Sequence, residues 1–163
     1  MAAVESGGSG SGPDGSGSTH AILLNDNASE WLGIEVLELR DGHAVIAMTL
    51  RAEMMNGFGT THGGMIFAVA DSAFALACNP ADGSGDSVTV ASGVDVNFLA
   101  PTHTGQRIIA VANRRHQQGR SGLYDVQVFV GDVPDGGSPT VVAEFRGRSR
   151  TIPKNIHAER SAR

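Results

Sequence analysis

Apolar residues fall along this chain in two rhythms, and the change between them divides it into elements. From Ile34 to Leu39 (IEVLEL) apolar side chains interleave with Glu35 and Glu38, the pattern of a strand with one face buried. Asp41-Gly42 supplies a two-residue turn, and His43 to Leu50 (HAVIAMTL) reads as the returning strand of a hairpin. Just upstream, Asn27 to Leu32 (NASEWL) sets cap-type residues ahead of Trp31 and Leu32 and predicts a short helix.

The segment Gly63 to Cys78 (GGMIFAVADSAFALAC) breaks the strand rhythm. Its Ala, Leu and Met content favours helix, and it is too long for an ordinary strand. Only Asp71 and Ser72 interrupt its apolar surface, so such a helix is expected to be wrapped by other structure on most sides. Strand patterns then return in Ser87 to Phe98, Gln106 to Asn113, Leu123 to Val130 and Thr140 to Ser149. Turn signals separate them at Pro101 and Gly105, at Gly119 to Gly122, and at Pro134 to Pro139. Two strands, one apolar helix and four strands on hairpin-scale connections predict an α+β domain, an antiparallel sheet curled around the helix.

Composition narrows the classes of function. A chain of 163 residues with 40% hydrophobic residues has room for one domain and one core. Residues 1–19 are dominated by Gly and Ser and read as a flexible tail, residues 20–153 as the folded domain, and residues 154–163 as a second tail. A formal charge of −5 argues against a nucleic-acid partner. No run of apolar residues is long enough to span a membrane, no secretory leader is evident, and a cytoplasmic location is expected. Cys78 stands alone, which excludes an internal disulfide, and the six histidines show no i,i+4 pair, so neither metal nor other cofactor is expected. No G-x-S-x-G elbow occurs.

The chemistry converges on Asp71. A carboxylate inside an apolar helix costs several kcal/mol unless it is paired or lines a cavity, and such a group suits a general base or nucleophile. At the helix start, His62-Gly63-Gly64 offers N–H groups without intrahelical partners, open to a ligand oxygen. Gly63 and Asp71 are eight residues apart, so about 12 Å along one helix. Both cannot reach one carbonyl from the same chain, and a site using both needs two chains in an isologous dimer.

The ordered segment Asn56-Gly57-x4-His62-Gly63-Gly64-x2-Phe67-x2-Ala70-Asp71-x-Ala73-Phe74-Ala75-x-Ala77-Cys78-Asn79 resembles the signature of the PaaI-like hotdog thioesterases of phenylacetate degradation. The likeness continues through Val90-Ala-Ser92, Asn97-Phe98-Leu99-x-Pro101, Arg115-His116, Gly122-x-Tyr124-Asp125-Val126 and Phe145-Arg146-Gly147. It implies a hotdog fold and hydrolysis of an acyl-CoA, with aryl-acetyl groups such as phenylacetyl or hydroxyphenylacetyl as the favoured class. It also implies a homodimer with shared sites, usually doubled to a homotetramer. Asp71 falls at the family's catalytic carboxylate and Gly63 at the N–H that polarises the thioester carbonyl. Asn56 falls where the carbonyl or water is oriented, and His62 supports the glycine. Phe58 stands where related sequences often carry histidine.

A substrate of that kind gives Arg115, Arg120, Ser121 and Gly122 a use. They lie in or beside a short basic turn suited to CoA phosphates, although a solvated hairpin turn accounts for it equally well. Alternating Arg146, Arg148 and Arg150 share one strand face, read as a solvent face with phosphate binding as the alternative; Cys78 and Tyr124 read as core, and Trp31 as a packing residue with an acyl-pocket role as the alternative. Two rival functions are a non-catalytic acyl-CoA-binding module and an acyl-CoA hydratase or dehydratase on the same fold. The first would not need Asp71, and the second calls for an Asp/His pair in another segment.

Overall fold

The computed structural model describes residues 20–131 and 139–154. The N-terminal tail, the turn at Pro134 and the C-terminal tail from residue 155 lie outside the described residues. Helix α1 (Asn27–Leu32) starts on Asp26, whose carboxylate accepts from the Ala28 and Ser29 N–H groups and from the Ser29 hydroxyl. It ends on Gly33 at φ +73°, a left-handed conformation that costs a glycine little. Strands β1 (Glu35–Arg40) and β2 (His43–Thr49) form the hairpin expected from Asp41-Gly42. Helix α2 occupies Gly63–Cys78, and β3 (Ser87–Phe98) follows it, both as expected. Strands β4 (Arg107–Gln118), β5 (Ser121–Val130) and β6 (Thr140–Pro153) complete a six-stranded antiparallel sheet in the order β1-β2-β4-β5-β6-β3.

The sheet's inner face is built so that a helix can lie close on it. Ala44, Ile46 and Met48 of β2, Ala110 and Ala112 of β4, Val126 and Val128 of β5, and Ala143 and Phe145 of β6 are all buried. Against them α2 buries Val69, Ala70, Ala73, Phe74 and Ala77. The Phe74 ring meets Tyr124 edge-on at 5.3 Å and fills the space over Gly147, where a Cβ would stand 2.7 Å from the ring. Burying a ring of this size contributes about 2–3 kcal/mol. The far end of α2 is tied down by Asn79. Its Oδ1 accepts from Thr89 N–H, and its Nδ2 donates to the carbonyls of Ala75 and Thr89.

The sheet curls around α2 as expected, and leaves one stripe of it at helical spacing, Gly64, Phe67, Ala68, Asp71, Ser72 and Ala75, only partly covered. Two expectations are corrected. Strand β4 runs five residues past Asn113, because Arg114 to Gln118 keep pairing with β5 although their side chains no longer alternate in polarity. Ser121 and Gly122 therefore open β5, and the turn shrinks to Gly119-Arg120. Trp31 is not packed inside. It is half exposed, with the Arg51 guanidinium 5.0 Å from its ring, and the same Arg51 donates to the Trp31 and Leu32 carbonyls and anchors the end of α1.

Candidate active site

Asp71 lies midway along the open stripe of α2, between Phe67 and Ala75 one turn to either side. The stripe floors a cavity of about 310 Å³ whose opposite wall is the N-terminal segment: Ile22, Leu23, Ala28 and Leu32. The walls are mainly apolar, with polar atoms at Asp26, Ser29, Asp71 and Ser72. Burial among these groups pushes the Asp71 carboxyl above the ordinary carboxylate range, with no charged partner contributing. The two carboxylates of the cavity thus differ in character. Asp26 is held low, chiefly by the Ser29 hydroxyl bonded to it, and is used up as a helix cap, whereas Asp71 accepts no hydrogen bond from the described residues.

The helix N-terminus is the second part of the site. His62, in extended conformation at φ −62° and ψ 129°, caps α2, and its Nδ1 accepts from Gly64 N–H at 2.9 Å. The Met65 N–H reaches back to the His62 carbonyl, so Gly63 N–H is left without an acceptor among the described residues. Gly63 opens onto a separate groove with Thr60, Phe98, Leu99, Pro101 and Thr102. The entry to α2 is fixed from below. The Thr102 hydroxyl donates to that of Thr61 at 2.7 Å in the interior, Thr61 N–H donates to the Thr102 carbonyl, and His62 N–H to the Met54 carbonyl.

Asn56 serves the same stretch of chain. Its Oδ1 accepts from Phe58 N–H at 2.8 Å and Thr60 N–H at 3.3 Å, and its Nδ2 donates to the Thr60 hydroxyl at 3.0 Å. The Gly59 carbonyl is 3.3 Å from His103 Nδ1. Asn56 therefore shapes the loop that leads to Gly63, and its polar atoms are engaged within it.

The basic candidates lie elsewhere and divide. Arg115 Nε donates to Asp125, which also takes Arg146, so one carboxylate holds two guanidinium groups. Arg120 forms the exposed tip of the β4–β5 turn. Ser121 and Gly122 line a third cavity, of about 430 Å³, together with Ser92, His116, Gln118, Leu123, Arg148 and Ser149. Arg115 does not line it. Arg148 thus lies in the cavity although its strand face reads first as a solvent face, and His116 lines it although its sequence context points to no ligand role. The roof supplied by Ile22 to Leu32 was also missed, because only the tertiary fold brings it over α2. Cys78, packed near Tyr124 and Ser149, has its thiol pushed up to about 12 by burial and is no nucleophile.

A curled antiparallel sheet cradling one long helix is the hotdog architecture. The chain belongs to the thioesterase superfamily, as its likeness to a curated thioesterase over most of both chains shows, and the model of that family matches residues 58–136. Within it the chain is similar to the acyl-coenzyme A thioesterase PaaI of Escherichia coli, at 38% identity over 86% of this chain and 93% of that protein. The solved structure of E. coli PaaI, from the phenylacetic acid degradation operon, superposes with a TM-score of 0.72 over 82% of this chain and 89% of that one. The TT0310 protein of Thermus thermophilus is 36% identical, with a TM-score of 0.67 over 78% and 98% of the two chains.

Proposed function

We propose that this protein hydrolyses the CoA thioester of a compact, aryl-acetyl type of acid: R–CO–S–CoA and water give R–COOH and CoA–SH. The observation that carries this reading is Asp71, a carboxyl raised by burial, opening into a small, mainly apolar cavity on a helix whose first N–H is unused. The E. coli relative is named for acyl-CoA thioesterase activity, and its structure for the phenylacetic acid operon.

The acyl group occupies the cavity under α1, with its carbonyl against Gly63 N–H of a second chain. Asp71 then acts in one of two ways. As a general base it takes a proton from water while the oxygen adds to the carbonyl carbon. As a nucleophile it forms an anhydride that water opens. In both cases the negative charge on the carbonyl oxygen is met by the Gly63 N–H, the C–S bond breaks, and the thiolate leaves to be protonated. His62 holds Gly64 N–H and so fixes the turn that exposes Gly63, and Asn56 fixes the loop before it.

Because Gly63 and Asp71 are about 12 Å apart on one helix, the active unit is a homodimer in which each site draws on both chains, doubled to a tetramer by further association. The CoA phosphates are assigned to the cavity at Ser121 and Gly122, with Arg148 and the nearby Arg115 and Arg120 supplying positive charge and the His116 ring a hydrogen-bonding edge. From Phe98, beside Gly63, to Ser92, in that cavity, β3 runs six residues, about 20 Å, a span an extended pantetheine arm can cover. The catalytic domain is residues 20–153, acting on CoA esters in the cytoplasm.

A thiol-release assay over a panel of acyl-CoAs tests the reading. Phenylacetyl-type esters are expected to outrank acetyl-CoA and long fatty acyl-CoAs. No thiol released from any ester by the wild-type protein overturns it.

A further inference from the structure

Phe58 is 94% exposed, the most open of the large apolar side chains in the described structure. A single exposed apolar residue carries little meaning by itself. Two observations set this one apart. First, its loop is pinned. The Phe58 N–H is bonded to Asn56 Oδ1, Asn56 grips Thr60 through two more bonds, and Gly59 takes φ +76°. The backbone that carries the ring is therefore held in a fixed place, flanked by Gly57 and Gly59, which leave the ring unshielded. Second, the loop runs straight into Gly63, five residues on, through the anchored Thr61 and His62.

Any arrangement that carries Gly63 N–H to the Asp71 of a second chain must carry this loop with it. On the receiving chain lies a stripe of Phe67, Ala68, Asp71, Ser72 and Ala75 that α1 covers from one side only. We infer that Phe58 is a specificity-determining residue, its ring closing the open side of the acyl cavity at Asp71 of a second copy of this chain. This rests on the composite thioesterase site proposed above. The ring has the right chemistry for the place. It adds an apolar, rigid wall with few rotamers to lose. An aromatic acyl group would lie against it in offset or edge-on contact, whereas an acetyl group is too short to need that wall. The residue thus favours aryl-acetyl over acetyl esters, and Asn56 contributes by holding it in place.

Two measurements test this, one of them independent of turnover. In a Trp31→Phe background, Phe58→Trp places a single indole at the site. The assembled protein is expected to show blue-shifted emission and resistance to iodide quenching compared with the same protein in urea. Emission and quenching equal to the unfolded chain overturn the inference, whether or not any thioester is cleaved. In the second, kcat/KM is measured for Phe58→Ala and Phe58→Leu, with assembly checked by sedimentation. Phenylacetyl-CoA is expected to lose on the order of tenfold with alanine and less with leucine, while acetyl-CoA changes by less than about twofold. If folded, assembled variants lose the two substrates in parallel, or neither, the inference falls. A wild-type protein that cleaves no acyl-CoA would defeat the thioesterase reading instead, and the indole result would still decide whether the assembly covers Phe58.

Discussion

The Phe98 ring lies across Gly63, with its Cζ 3.1 Å from where a Cβ on that glycine would stand. The contact is tight but yielding, since Phe98 is about half exposed and can swing away. Gly63 is also the first residue of α2, where proline is tolerated, and His62 before it already has the extended backbone that proline requires. Gly63→Pro therefore removes one N–H that no acceptor among the described residues uses, and its Cβ meets the movable Phe98 ring.

That makes a clean complementation experiment. Gly63→Pro and Asp71→Asn are each expected to be inactive and folded. Mixed under conditions of verified subunit exchange, they form heterodimers with one doubly defective site and one intact site. Recovery of activity, up to about a quarter of wild type for statistical mixing at equal amounts, is the expected outcome. Verified heterodimers without activity, or a fully active monomer, count against a shared site.

Asp71→Asn alone is expected to lower kcat by at least ~10²-fold with the fold intact. Its stability effect has a definite sign. Burial raises the folded-state pKa of Asp71 above its unfolded value, so its contribution to stability is fully present below the unfolded pKa and is lost as pH rises through the folded one. At neutral pH the ionised carboxylate weighs against folding. Asp71→Asn should therefore melt at or above wild type at pH 7, and the difference should shift toward wild type as pH falls into the carboxylate range. Melting curves at several pH values check this.

Gly147→Ala is expected to destabilise the protein by about 1–3 kcal/mol. Its Cβ would lie 2.7–2.9 Å from the Phe74 ring, which is buried on all sides and cannot retreat. Urea unfolding measures the cost, and Phe74→Leu in the same chain should recover part of it by making room.

The Cys78 thiol, pushed up to about 12, should resist alkylation by iodoacetamide at pH 8 in the native protein and react at once in denaturant. Mass spectrometry of the adduct reads this out, and fast native labelling would show that the end of α2 opens.

The elements most legible in the sequence were those whose punctuation and pattern agree. Gly63 to Cys78 carries helix-forming residues between a glycine pair and Asn79-Pro80, and Ser87 to Phe98 begins after a Gly-rich turn, so both ends of each could be read. The end of β4 was not legible, because Arg114 to Gln118 are polar in succession and only pairing with β5 holds them extended. Asp71 could be singled out because a carboxylate is anomalous in that helix. What surrounds it could not. The wall at Ile22 to Leu32 comes from residues about forty to fifty positions away, and the open stripe is half-apolar by composition, so nothing local distinguishes it from a buried face. Trp31 failed for a related reason: an aromatic residue beside Leu32 implies packing, but Arg51, two residues past β2, meets it on the surface instead.

The Asn79 clasp between α2 and β3 also bears on how the protein ages. Asparagine deamidates when the backbone nitrogen of the following residue attacks its side-chain carbonyl, and Pro80 has no N–H with which to close that ring. The clasp is chemically protected by its neighbour, so both amide donors survive storage. Asn56 has the opposite neighbour, Gly57, which hinders the attack least. Slow loss of ammonia from old samples should therefore begin at the loop that presents Phe58, while the helix stays fastened to the sheet.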